Sequence, residues 1–173
     1  MVIYKASLGV SMRVNYILVV LTFPMLLVSS LALAADFETG LKAYRSGNFK
    51  TALTQWVPLA EQGHVSAQAY LGQMYGQGIG VLRNHKTAVK WYTKVAEQGH
   101  AATQNTLGYM YDYGRGVAKN HKTAVKWYTL ASYNGSEVAR ENKDAVAKQM
   151  TPADISAAQD MSSRCLENNY RDC

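Results

Sequence analysis

His64 and His100 lie 36 residues apart, and so do His85 and His121. Imidazoles at fixed offsets suggest metal ligation, so convergence is the first question. Zinc holds its ligands at about 2.0–2.1 Å from one ion. His85 and His121 occupy equivalent points of neighbouring repeats, roughly 10 Å apart at ordinary helix spacing. His64 and His100 sit at a different point of the repeat, away from His85. The sequence has no His-x-x-x-His pair and no Cys/His cluster. No metal site and no cofactor are expected. Nucleophilic chemistry is equally short of parts. There is no Ser-x-x-Lys, "KTA" at Lys86–Ala88 stands where a serine β-lactamase needs Lys-Thr-Gly, and no Gly-x-Ser-x-Gly elbow exists. The chain is expected not to be an enzyme.

The same histidines belong to a longer identity. "NHKTAVKWYT" occurs at Asn84–Thr93 and again at Asn120–Thr129. Shifting the sequence by 36 residues aligns Val65–His100 with Ala101–Ser136, and 19 of the 36 positions agree. A period of this length is the mark of a solenoid. The shift carries upstream in part: Asn48 falls on Asn84, Ala52 on Ala88, and "EQGH" at Glu61–His64 on "EQGH" at Glu97–His100. A degenerate first unit therefore spans residues 35–64, with roughly five residues missing between Tyr44 and Ala52.

Each unit reads as two helices. Ala67, Tyr70, Leu71, Met74 and Tyr75 recur at three- and four-residue spacing and give one apolar face. Gly76, Gly78 and Gly80 should stop that helix. Asn84 is suited to cap the next one, as Asn48 and Asn120 are in the other units. Ala88, Val89, Trp91, Tyr92, Val95 and Ala96 then cover a broad face, and Gly99 ends it. The aromatic residues are read as packing, while histidine and lysine of the decapeptide are placed on exposed first turns. Beyond Ser136 the repeat fades into capping helices at 137–173. Val138, Ala139, Ala145, Val146 and Met150 are available to pack in the first of these. "TPAD" at Thr151–Asp154 starts a last helix lined by Ile155, Ala158, Met161 and Cys165.

Residues 1–34 have the order of a secretory signal peptide: a basic stretch at Met12-Arg13, an apolar run over Ile17–Val28, and small residues ending in "ALA". Met12 is a candidate start, and the competing reading is an uncleaved membrane anchor. Cleavage after Ala34 gives a periplasmic or secreted protein with no membrane span. It removes Lys5 and Arg13, taking the net charge from +6 to +4. That mild, interspersed charge and the export signal argue against nucleic acid as a partner. In an oxidising compartment the lone pair Cys165 and Cys173 reads as a disulfide stapling the end of the chain, against free thiols.

Leu71-Gly72, Tyr75, Gly78, Gly80-Val81, Ala88, Trp91-Tyr92 and Gly99 resemble the Sel1-like repeat family of the tetratricopeptide superfamily. Leu107, Gly108, Tyr111, Gly114, Gly116, Val117, Ala124, Trp127, Tyr128 and Gly135 match it again. The resemblance implies an all-α fold, a right-handed α–α superhelical solenoid of stacked antiparallel helix pairs, with repeats at 65–100 and 101–136. It also implies an adaptor role, with a protein or peptide bound on the concave face. Asparagine replaces the family's usual aspartate at Asn84 and Asn120, and the first unit lacks the Gly-x-Gly-Val turn. The candidate binding residues are those that differ between units on the first helices: Glu38, Lys42, Arg45, Gln73, Gln77, Asn105, Tyr109, Asp112 and Tyr113. Tyrosine there supplies contact area with a polar tip. The alternatives are a cell-wall or β-lactam-interacting hydrolase, and an envelope-complex subunit with no groove ligand.

Overall fold

In a computed structural model of the chain, residues 35–171 and 173 are described. The expected signal peptide lies outside them. The described residues form helices and connecting turns: α1 (Phe37–Arg45), α2 (Phe49–Glu61), α3 (Val65–Gln77), α4 (His85–Ala96), α5 (Ala101–Tyr113), α6 (His121–Tyr133), α7 (Glu137–Ala147) and α8 (Pro152–Glu167). Each helix from α1 to α6 packs on the next, which is the connectivity of an α–α solenoid. The last helix breaks this order, because α8 packs on α6. None of the helices is long and apolar enough to cross a membrane.

The second helices start where their asparagines put them. The side-chain oxygens of Asn48, Asn84 and Asn120 accept from the amides of Thr51, Thr87 and Thr123 at 3.2, 3.0 and 3.0 Å. Histidines cap two of the first helices, a role the sequence did not suggest. Nδ1 of His64 accepts from the Ala67 amide at 3.2 Å, and Nδ1 of His100 from the Thr103 amide at 3.4 Å. Gly78 and Gly114 close α3 and α5 in the left-handed conformation, at φ 77° and 68°, where a side chain is strained. Gly76, expected to stop the helix, lies inside it, since α3 runs to Gln77.

Glycine sets how closely each pair of helices approaches. A Cβ at Gly72 would stand 2.5 Å from the Tyr92 ring, and one at Gly108 2.5 Å from the Tyr128 ring. The shortened first unit repeats the device with Gly40 against Trp56. Gly40 precedes Trp56 by 16 residues, whereas Gly72 and Gly108 precede their tyrosines by 20. The missing segment is therefore four residues rather than five, all of it between the two helices. A second glycine sets the contact between units. A Cβ at Gly80 would collide with Phe49 at the start of α2, and one at Gly116 with the backbone of His85 at the start of α4.

Three apolar clusters run along the stack. The first joins Trp56, Ala60, Leu71 and Met74, with Trp91 packed against it. The second joins Val89, Leu107, Met110, Trp127 and Leu130. The third joins Val125, Tyr128, Val146 and Ala158, and so ties α8 to α6. Each tryptophan of the decapeptide packs back onto the unit before it. The first unit carries Gln55 at that position, where its side chain accepts from the Asp36 amide at 2.8 Å. A polar residue there leaves no apolar face uncovered.

In α8, Thr151 caps the helix by accepting from the Asp154 amide at 3.2 Å, and Ala158 and Cys165 are buried. The expectation for α7 is only half met. Ala139 and Val146 are buried, but Ala145 is exposed and Val138 is 58% exposed. With α8 laid on α6, the outer side of α7 has nothing to pack on.

Gly108→Ala should lower the unfolding midpoint, because the ring of Tyr128 would have to shift; the expected cost is about 1–3 kcal/mol. At Gly76 the nearest atom to an added Cβ is 3.5 Å away. Gly76→Ala should be neutral or stabilise the helix by about 0.5–1 kcal/mol. Thermal and urea denaturation followed by circular dichroism compare the two.

Candidate functional site

The expected binding residues all fall on first helices of the units. Glu38, Lys42 and Arg45 lie on α1 and are exposed; Gln73 and Gln77 lie on α3, the latter exposed; Asn105, Tyr109, Asp112 and Tyr113 lie on α5. On this side α7 is linked to α5, where Asn142 donates to Asn105 at 3.0 Å. On α5 the rings of Tyr109 and Tyr113 meet at 4.5 Å, and the Arg115 guanidinium stands 4.9 Å over the Tyr109 ring. Tyr113 is 62% exposed, while Tyr109 is partly buried against the third cluster. Arg115 was missed in sequence because it lies past the helix, in the turn. Its signal was that it replaces Ile79 of the preceding unit.

Asp112 behaves differently from its neighbours. Its Oδ1 is 3.5 Å from His121 Nε2, and its side chain is only 13% exposed. This corrects the placement of His121 on an open first turn: it is half-buried against α5. The preceding unit has Gly76 at the position of Asp112, so His85 has no such partner. Beside it, burial and then the charge of Asp112 push the Tyr128 hydroxyl well above the usual tyrosine range. The open cavity of about 270 Å³ at the start of α6 is bridged by Lys122 and Asp154, 3.2 Å apart. Thr151 and then Lys122 hold the Asp154 carboxyl below its ordinary value. No group of three His, Cys, Asp or Glu residues suited to a metal occurs among the described residues. In His64 and His100 the Nδ1 atom serves the helix cap.

Buried amides repeat with the period. Gln68 donates to the Ala60 carbonyl and Gln104 to the Ala96 carbonyl, each at 2.9 Å. Both glutamines are buried, and both receive a second amide, from Gln98 and Asn134 respectively. They fasten the first helix of one unit to the second helix of the unit before.

The two repeats, at residues 65–100 and 101–136, match the family model described as "Sel1 repeat". The chain carries two Sel1 repeats. Among solved structures it is similar to c5321, described as a protective antigen present in uropathogenic Escherichia coli strains displaying an SLR fold. There the TM-score is 0.69 and the identity 31%, over 76% of this chain and 29% of that one. It is also similar to a Sel1 repeat protein from Oxalobacter formigenes, with a TM-score of 0.57 and 35% identity over 62% of this chain and 44% of that one. The chain thus spans less than half the length of either relative. No curated protein matches it.

On the outer side of this Sel1 stack the two copies of the decapeptide diverge in environment. Lys90 is exposed, whereas Lys126, identical in sequence context, is 3% exposed. Lys126 lies 4.1 Å over the Trp127 ring and donates to the Cys173 carbonyl. The Cys165–Cys173 disulfide is present and holds that segment down. The expectation of an exposed lysine fails here because the end of the chain folds back over α6. Burial lowers the Lys126 pKa from 10.5 to about 8, against the opposing pull of Glu97.

In the unfolded chain this lysine keeps its ordinary pKa, so between pH 8 and 10.5 the unfolded state binds more protons. Stability should therefore rise with pH across that window and lose this contribution as pH falls back toward 8. Urea unfolding at pH 7.5 and 10.5 should show the rise, and Lys126→Met should flatten it.

Proposed function

We propose that this chain is a non-catalytic adaptor that holds a protein or peptide partner on the concave face formed by its first helices. The observation that carries the reading is the pairing of invariant scaffold with variable surface. The glycine, tyrosine and glutamine contacts that build the stack repeat unit by unit. The first helices differ at exposed residues, among them Glu38, Lys42 and Arg45, Gln77 and Tyr113, and at the partly buried Tyr109, with Arg115 exposed in the turn that follows. Amphipathic tyrosine beside arginine is the composition enriched where proteins bind one another. Asp112 belongs to this surface too, its carboxylate lying 3.5 Å from His121 Nε2 at the start of α6.

We further place the protein outside the cytoplasm, in the periplasm or secreted. Support comes from the signal-like order of residues 1–34, from the disulfide, and from similarity to a protein described as a protective antigen. A hydrolase acting on the cell wall or on β-lactams is the second reading, and no signature in the sequence favours it.

A photo-crosslinking residue at position 113 should capture a specific partner from intact cells, and the same residue at position 50, on a second helix, should not. Tyr113→Ala with Arg115→Ala should abolish capture while leaving the helical circular-dichroism signal unchanged. Equal capture from both positions would remove the concave face from consideration. Covalent labelling of the purified protein by a reporter penicillin would favour the hydrolase instead.

A further inference from the structure

The end of the chain acts as a ligand for its own repeat. After α8, Asn169 and Tyr170 take the left-handed conformation, at φ 51° and 63°, and turn the chain into a hook. The Tyr170 ring covers Gly99, 3.4 Å from where a Cβ would stand, and its hydroxyl donates to Asn134 Oδ1 at 2.9 Å. Three residues on, the Cys173 carbonyl accepts from Lys126. Tyr170, Leu166 and the disulfide cysteines join the apolar cluster of Trp127. The docking site is therefore Gly99, Asn134, Lys126 and Trp127, on the outer side of the stack.

One period upstream, the same site is built a second time from Gly63, Gln98, Lys90 and Trp91. Its inner wall is wired alike. Gln98 donates to Gln68 at 3.2 Å, as Asn134 donates to Gln104 at 2.9 Å. In Asn134 the remaining oxygen accepts the tyrosine hydroxyl, whereas Gln98, its counterpart one period upstream, is exposed. Among the described residues, nothing lies within 4 Å of a Cβ placed on Gly63. Lys90 and Gln98 are exposed and Trp91 is half-buried, whereas Trp127 is 2% exposed. The copy differs in one respect that bears on charge: Lys94, exposed, stands where the filled site has the buried Leu130. Lys86, Lys90 and Lys94 then form one basic row on the outer side of α4, with the exposed Glu61 the acidic residue at the corner beside Gly63.

We propose that this vacant copy is a docking site for a hook-shaped segment of a partner protein, carrying a tyrosine and, three residues on, a carboxylate or carbonyl oxygen. The tyrosine covers Gly63 and donates to the Gln98 oxygen; the acceptor meets Lys90 and Lys94. The occupant is argued from the one seated in the filled copy and from the added lysine, which favours an acidic segment. A second molecule's tail is not the natural occupant, because the disulfide and Lys126 already hold it in place. This site is built on the second helix and the turns beside it, uses none of the concave-face residues, and stands independently of the concave-face reading.

The probe is a fluorescein-labelled nonapeptide with the sequence of residues 165–173, closed by its own disulfide. Titrated with the intact oxidised protein and followed by anisotropy, it should bind saturably at one site. Lys90→Glu should weaken binding by about tenfold or more. Gln98→Ala should weaken it as well, and Tyr113→Ala should leave it unchanged. Lys90 is exposed, so its variant retains the fold, which circular dichroism verifies. Absence of saturable binding overturns the proposal. So does equal binding to Lys90→Glu, which would place the peptide at the tail's own site. A dimer of the unliganded protein that dissociates in Lys90→Glu would also overturn it, since a second copy would then be the occupant.

Discussion

The stack depends on the absence of one carbon atom. At Gly40, Gly72 and Gly108 an aromatic ring from the paired helix lies where any other residue would place its Cβ. Packed helices lie about 8–10 Å apart, the spacing being set by the side chains between them. A glycine facing a large flat ring lets the two axes approach while the ring fills the gap. That contact fixes the geometry within a unit. The next glycine along, Gly80 or Gly116, fixes the geometry between units by resting the turn on the start of the previous second helix. Two glycines per repeat thus specify how the units stack, and the buried glutamines Gln68 and Gln104 fasten them with hydrogen bonds that apolar packing alone would not orient.

Repetition makes such a stack easy to read in sequence and easy to misread in its details. The helices, the asparagine caps and the closing Thr-Pro signal were legible because each rests on local chemistry that needs no neighbour. The disulfide was legible because only two cysteines are present. Histidine caps were not, because His64 and His100 use a ring nitrogen where asparagine or serine is usual, and their spacing drew attention to metals instead. Tertiary context decided the remaining cases. Val138 and Ala145 have the right periodicity for a core, yet α8 leaves α7 for α6 and exposes them. His121 has the right position for an open first turn, yet Asp112 of α5 stands 3.5 Å from its Nε2 and half-buries it.

The candidate binding face was legible only as difference between units. Divergence pointed to Tyr109 and Tyr113, and the structure adds Arg115, whose side chain reaches back over the Tyr109 ring from the turn. Nothing in helix periodicity places a turn residue on a helix face. Arg115 stands over Tyr109 beyond the left-handed Gly114 that ends α5.

The two decapeptides carry this reasoning to its limit. Ten identical residues form two helices with the same cap, the same tyrosine against glycine and the same backward-facing tryptophan. Their lysines nevertheless end in opposite environments, Lys90 in solvent and Lys126 under the hook of Tyr170 and Cys173. Sequence identity therefore fixes what a helix offers, and its neighbours fix what is taken. A buried ammonium is costly unless it finds acceptors. Lys126 finds the Cys173 carbonyl, the Trp127 ring and the nearby charge of Glu97. Because the decapeptide supplies the lysine and tryptophan in both copies, covering the site once shows what chemistry the other exposes. In a solenoid, the way a chain closes its own end is information about the surface it leaves open.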